Sequence, residues 1–261
     1  MTDDEREAAL EAIAAEVRVC TRCRLHEGRT RAVPGEGSAS TEVVFVGEGP
    51  GFHEDREGRP FVGRAGALLA TLLRSVGWRR EDVFITNVVK CRPPDNRDPA
   101  PDEIAACAPY LRRQLEVLDP ALVVTLGRHS LGWFMPGARI SQVHGTARPV
   151  DPASGPQAAL VFAMYHPAAA LRTPEIERQS FADMAAVPAT LAAARDRRSA
   201  PGRAAPAPAP PAQPEMTMTA PNPAQAARPT PAATPEPGRD RPPVPAEPAP
   251  DDAPADQLTL F

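Results

Sequence analysis

Aromatic residues are scarce in this 261-residue chain, 5% in all, and none lies between positions 201 and 256. That stretch is almost as poor in aliphatic side chains and holds 18 of the 34 prolines, mostly interleaved with alanine. It buries too little apolar surface to offset the entropy of ordering, so a disordered, locally extended Pro/Ala-rich C-terminal tail is expected there. About 195 residues remain, enough for one well-buried domain. A run of 18 or more apolar residues is also missing, which excludes a membrane-spanning helix. The first residues, Thr2-Asp3-Asp4-Glu5, lack the positive charge of a secretion signal, so a cytoplasmic protein is expected. Nor is there an excess of positive charge. The net charge is −4; the tail carries 4 Arg against 7 acidic residues, leaving 25 against 26 in the rest. Nucleic acid, if bound, must therefore be held by a local patch rather than by bulk charge.

Cysteines are few: Cys20, Cys23, Cys91 and Cys107. The C-x2-C pair is followed by two well-separated single thiols, whereas a zinc ribbon wants a second close pair. Disulfides are a poor expectation in a cytosolic chain. Four thiolates gathered from three places suit a [4Fe–4S] cube, with zinc or unligated thiols as the alternatives.

What is present is an alternation of short apolar runs with helical patterns. Strands are expected at 43–47 (VVFVG), 83–88 (VFITNV), 121–126 (ALVVTL) and 159–165 (ALVFAMY). Helices are expected at 4–19, 65–76, 101–118, 128–134 and 175–195, several with acidic or Pro-led starts. This pattern predicts an α/β three-layer sandwich with a mainly parallel four-stranded sheet covered on both faces. Gly47-Glu48-Gly49-Pro50-Gly51 follows the first strand, Asn87 ends the second and His166 follows the fourth. The ligand crevice of such a sheet lies outside the carboxyl ends of its strands. An acid, an amide and an imidazole are therefore expected to converge.

Three segments carry a resemblance: GEGPGFHEDREGRPFVGRAG (47–66), TNVVKCRPPDNRDP (86–99) with Cys107 downstream, and HPAAALR (166–172). In this order, with the four cysteines, they resemble the family 4 (iron–sulfur) uracil-DNA glycosylases over roughly residues 5–195. The resemblance implies a uracil-DNA glycosylase-like fold in a domain spanning 1–197 and a hydrolase that starts base-excision repair of deaminated cytosine. It implies base extrusion into a pocket lined by Gly47, Glu48, Gly49, Phe61, Asn87 and His166. Phe61 matches the stacking residue and Asn87 the residue reading uracil, an amide whose acceptor and donor fit N3–H and O4. His166 matches the catalytic histidine, donating to uracil O2 as charge develops there. Glu48 matches the family's glutamate. The better-known uracil glycosylases carry a water-positioning aspartate at the next position; Gly49 stands here, so water placement falls to Glu48 or to backbone groups. Glu54 and Asp55 are further candidates for shaping the pocket. Residues 167–172 resemble the family's minor-groove loop, with Ala170 or Leu171 as the wedge and Arg172 on phosphate. Cys20, Cys23, Cys91 and Cys107 match the cluster ligands, and Arg22, Arg24, Arg92 and Arg97 beside them are expected to form a basic surface. His26, His53, His129 and His144 receive no role.

Gln257, Leu258, Leu260 and Phe261 resemble the Q-L-x-L-F peptide that docks bacterial DNA-metabolism proteins on the polymerase sliding clamp, here at the end of the 198–256 linker. The expected partners are thus uracil-containing DNA, single- or double-stranded, and the clamp, with the enzyme acting as a monomer. The alternative is a non-catalytic or covalently trapping iron–sulfur uracil-DNA-binding protein. The extra basic, histidine-containing loop of the trapping branch is missing between Cys91 and Asp102, which argues against that branch.

Overall fold

The computed structural model describes residues 1–151, 154, 156 and 158–199. The proline-rich segment from 200 onward and the peptide at 257–261 lie outside them. Six strands form one sheet: β1 (Glu36–Gly37), β2 (Val43–Gly47), β3 (Phe84–Asn87), β4 (Leu122–Leu126), β5 (Ala147–Pro149) and β6 (Leu160–Met164), in the order β1-β3-β2-β4-β6-β5. The central four, β3-β2-β4-β6, are parallel. They are the four expected strands, each within a residue or so of its predicted bounds. Short antiparallel strands β1 and β5 cap the two edges, so the sheet is mixed and wider than expected. Neither has an apolar run, and each exists through its pairing with β3 or β6.

The central strands are buried on both faces, as continuous Val/Leu/Ile runs require. In β2 the alternation is plain. Val44 and Val46 enter a core with Ile13, Val17, Leu111 and Leu115. These come from α1 (Asp3–Arg18) and α5 (Pro101–Leu118). Val43 and Phe45 enter the opposite core with Leu69, Leu72, Met184 and Val187, supplied by α4 (Arg64–Ser75) and α9 (Pro174–Ser199). Helix α1 starts on a capping box in which Thr2 and Glu5 bond each other's backbone N–H. The described residues also hold five shorter α-helices, α2 (Leu25–Gly28), α3 (Phe52–Glu57), α6 (Arg128–Phe134), α7 (Ile140–Val143) and α8 (Pro167–Ala170), and two 3-10 turns at Arg80–Asp82 and Pro94–Asn96. Because β2, β3, β4 and β6 run in one direction, the loops after them open on one edge of the sheet. No described helix is long and apolar enough to cross a membrane.

Candidate active site

One pocket on that edge is lined by Glu48, Gly49, Phe61, Asn87, His166 and Arg172, with Pro93 and Asn96 from the loop after β3. The expected convergence of the three strand ends is therefore observed.

Its floor is packed so tightly that only glycine fits at 47. A Cβ there would stand 2.4 Å from Asn87 Oδ1 and 2.7 Å from Phe61 Cζ. Gly47 thus lies behind the pocket and seats both residues. Phe61 has φ 51°, in the left-handed region that non-glycine residues avoid. Several contacts hold it there. Its carbonyl accepts from Arg80 Nη1 at 2.8 Å, and Arg80 also bonds the Pro60 carbonyl and pairs with Glu36. Gly66 of α4 lies against the Phe61 backbone, where a Cβ would meet the carbonyl oxygen at 1.8 Å. The Glu54 carboxylate accepts from the backbone of Gly51, Val62 and Gly63, each at 3.1 Å, tying both ends of the 51–63 segment together. Asp55 turns away and accepts from Thr30 N, so of the two acids only Glu54 shapes the pocket.

Asn87 is 1% exposed, and its Oδ1 is buried without a hydrogen-bond partner among the described atoms. An orphaned buried acceptor costs about 1–3 kcal/mol. Its backbone is pinned from behind by Lys90, the only lysine in the sequence. Enclosed by protein, Lys90 Nζ donates to the Asn87 carbonyl (2.8 Å), Thr86 Oγ1 (2.6 Å) and Gln114 Oε1 (2.7 Å). Burial pulls its pKa down to about 8.

His166 caps α8: its Nδ1 accepts from Ala168 N at 3.1 Å. An imidazole that accepts at Nδ1 carries its proton on Nε2. Burial drives the His166 pKa down to about 4, so the ring is neutral at pH 7. Its ring centroid lies 5.7 Å from that of Phe61.

Glu48 is half-buried, and burial raises its pKa above the ordinary carboxylate value. His129, at the start of α6, stands 3.7 Å from Glu48 and 3.2 Å from Asp98. Nothing in the sequence pattern places His129, Asn96 or Asp98 at this site.

In the 167–172 loop the two wedge candidates separate. Ala170 is 2% exposed and packs into the core, which removes it as a wedge, whereas Leu171 is 38% exposed. Arg172 lines the pocket.

All four cysteines line a second, smaller cavity with Arg29, Lys90 and Tyr110. Arg29 Nη1 donates to Cys91 Sγ and Lys90 N to Cys107 Sγ, both at 3.2 Å. Among the described residues no three of the Sγ atoms lie within 4.8 Å of one another. A zinc tetrahedron at about 2.3 Å Zn–S has edges of only about 3.8 Å. As placed, the four thiols share one cavity without forming a zinc tetrahedron. The expected basic surface beside them is reduced. Arg24 and Arg97 are both spent on Glu103, whose carboxyl they hold down to about 2, Arg97 most strongly. Arg22 lies over the Tyr110 ring.

An aromatic, an amide and an imidazole thus share one pocket at the carboxyl edge of an α/β sheet. The family model described as the Uracil DNA glycosylase superfamily matches residues 34–187. The chain is 49% identical over 167 residues to the Type-4 uracil-DNA glycosylase of Thermotoga maritima, covering 64% of this chain and 85% of that protein. It is 50% identical over 175 residues to that of Saccharolobus solfataricus (65% and 80%). Against a Type-5 uracil-DNA glycosylase of Pyrobaculum aerophilum the match falls to 37% over 118 residues, 40% of this chain and 51% of that protein. The chain belongs to the uracil-DNA glycosylase superfamily and, within it, to the type-4 family.

Proposed function

We infer that this protein is a uracil-DNA glycosylase, hydrolysing the N-glycosidic bond of uracil extruded from DNA and so opening base-excision repair of deaminated cytosine. The observation that carries this reading is the orphaned Asn87 Oδ1, buried in the same pocket as an imidazole protonated on Nε2. Uracil satisfies both. Its N3–H donates to Asn87 Oδ1, its O4 accepts from Nδ2, and its O2 accepts from His166 Nε2–H. Cytosine presents an acceptor at N3 and a donor at N4, and meets the amide wrongly at both atoms. Phe61 stacks on the ring, worth about 1–3 kcal/mol per base, which offsets much of the cost of extrusion.

As the C1′–N1 bond breaks, its electron pair moves onto uracil and negative charge grows at O2. The His166 N–H strengthens its bond only then, which lowers the barrier rather than the ground state. Water adds to C1′ on the face opposite the leaving base and passes its proton to the Glu48 carboxylate, and the uracil anion takes up a proton from solvent. Glu48 holds that water, with Gly49 giving it space and His129 steadying the carboxylate. Leu171 fills the emptied stack and Arg172 meets phosphate.

Cys20, Cys23, Cys91 and Cys107 would hold a [4Fe–4S] cluster in this reading, supported by the four thiols from three chain segments lining one cavity. The cluster there supplies a cross-link between three chain segments; glycosidic hydrolysis moves no electrons. Gln257, Leu258, Leu260 and Phe261 dock on the sliding clamp through the 198–256 tether. Deleting 257–261 abolishes clamp binding and leaves turnover on short oligonucleotides unchanged; retained clamp binding removes that assignment.

The glycosylase reading is tested by single-turnover release of free uracil from a uracil-containing oligonucleotide. Wild type releases it, and His166→Ala is slower by about a hundredfold to a thousandfold. Tight binding with no release by either protein leaves a non-catalytic binding module.

A further inference from the structure

Phe52 opens α3 directly after Gly51, which lines the pocket, yet it is 47% exposed. It is one of four large apolar side chains exposed among the described residues, and Leu171, beside the pocket-lining Arg172, is another. Two guanidiniums lie over its ring: Arg56, one turn further along α3, at 5.6 Å from the centroid, and Arg92 at 5.3 Å. Arg92 comes from the loop after β3, between Cys91 and the pocket residue Pro93. Its Nε donates to Asn96 Oδ1 at 2.8 Å, so it is held from two sides while its terminal amino groups point to no acceptor among the described residues. Neither Arg56 nor Arg92 has a carboxylate oxygen within 4.0 Å among the described residues, in contrast to Arg24 and Arg97 nearby.

A guanidinium over an aromatic face gives up no hydrogen-bond donor, because its N–H groups lie in its own plane. An exposed ring that orders two unpaired guanidiniums at the rim of a base pocket is therefore prepared for an anion bound bidentately. The anion that a strand threading a base into this pocket must place on the rim is a phosphodiester.

We propose that Phe52, Arg56 and Arg92 form a phosphate clamp that grips the substrate strand at the part of the rim next to Gly51 and Pro93. This rests on the DNA-substrate reading above and adds to the Leu171–Arg172 loop a second anchor for the strand.

The test is fluorescence anisotropy with single-stranded DNA carrying one 2′-fluoro-deoxyuridine, using the full chain purified with its visible absorption intact, over a range of KCl concentrations. Losing two phosphate contacts in Arg56→Gln/Arg92→Gln makes the slope of log affinity against log salt shallower by about 1.4, at ~0.7 per contact on a single strand. Phe52→Leu keeps both charges but frees them, and weakens binding by about fivefold to thirtyfold, as losing two exposed cation–π contacts implies. A control pair, Arg139→Gln/Arg148→Gln, removes two arginines that line a separate groove and leaves the slope at the wild-type value. A wild-type slope in the Arg56/Arg92 variant, wild-type affinity in Phe52→Leu, or an equal loss of slope in the control pair overturns the proposal. Failure of the glycosylase reading shows separately, as wild-type protein that releases no uracil from a deoxyuridine oligonucleotide.

Discussion

Asn87→Asp changes one atom of the uracil-reading amide and leaves the rest of the pocket in place. Asn87 is 1% exposed and Lys90 fixes its carbonyl, so the new side chain cannot swing clear of the base. Ionised, it turns two acceptors towards uracil and meets O4 with a lone pair instead of an N–H. A bidentate base contact is worth about 1–3 kcal/mol, so the rate on uracil falls by about five- to 150-fold. Burial also raises the pKa of a carboxyl, so a protonated fraction forms below neutral pH. That form offers O–H to the N3 of cytosine and accepts from its N4, the complement of the wild-type amide. Single-turnover assays on oligonucleotides carrying uracil or cytosine should therefore show uracil release falling and cytosine release appearing, the latter growing as the pH is lowered. A variant within threefold of wild type on uracil, or one whose cytosine activity rises with pH, would refute the assignment of Asn87 as the base-reading residue.

Further outcomes follow from the same geometry. Gly47→Ala places a methyl group 2.4 Å from Asn87 Oδ1 and 2.7 Å from Phe61; about 1–3 kcal/mol of stability is lost by overpacking, and uracil release falls far more than the melting temperature suggests. Lys90→Met removes three buried hydrogen bonds and takes the Nζ donor from the Asn87 carbonyl, while Gln114 Oε1 keeps its bond from Thr86; stability falls by about 1–3 kcal/mol, which chemical denaturation will read as a shift in midpoint. In the pH–rate profile the acid limb belongs to Glu48, whose pKa burial raises, and it disappears in Glu48→Gln, because His166 stays neutral down to about pH 4. His166 binds its proton less readily folded than unfolded. It therefore destabilises the fold progressively as pH drops from about 6.5 to about 4, by ~3 kcal/mol in all, and His166→Gln removes that dependence.

The four central strands were legible because each is a continuous apolar run buried on both faces, and a parallel sheet puts their carboxyl ends on one edge. That alone brought Glu48, Asn87 and His166 together. The edge strands were hidden: β1 is Glu36–Gly37 and β5 is exposed throughout, so their pairing rather than their composition makes them strands. Helix α3 reads FHEDRE, with no apolar period, and forms where Glu54 reaches back to Gly51 N. The place of His129 beside Glu48 is hidden in the sequence because it follows from β4 lying next to β2 in the sheet, a neighbourhood that strand patterns do not disclose. Arg24 and Arg97 read as basic surface in the sequence because only the fold brings Arg24 to Glu103, whose carboxylate accepts from both. Residues 257–261 lie outside the described structure, and their clamp assignment stands on sequence alone.

The most direct measurement is a crystal structure of the complex with DNA carrying 2′-fluoro-deoxyuridine. The account places the extruded uracil against Phe61, with N3 and O4 on the Asn87 amide and O2 within hydrogen-bond distance of His166 Nε2. A base left stacked in the strand, or one seated in a cavity that Asn87 and His166 do not share, contradicts it.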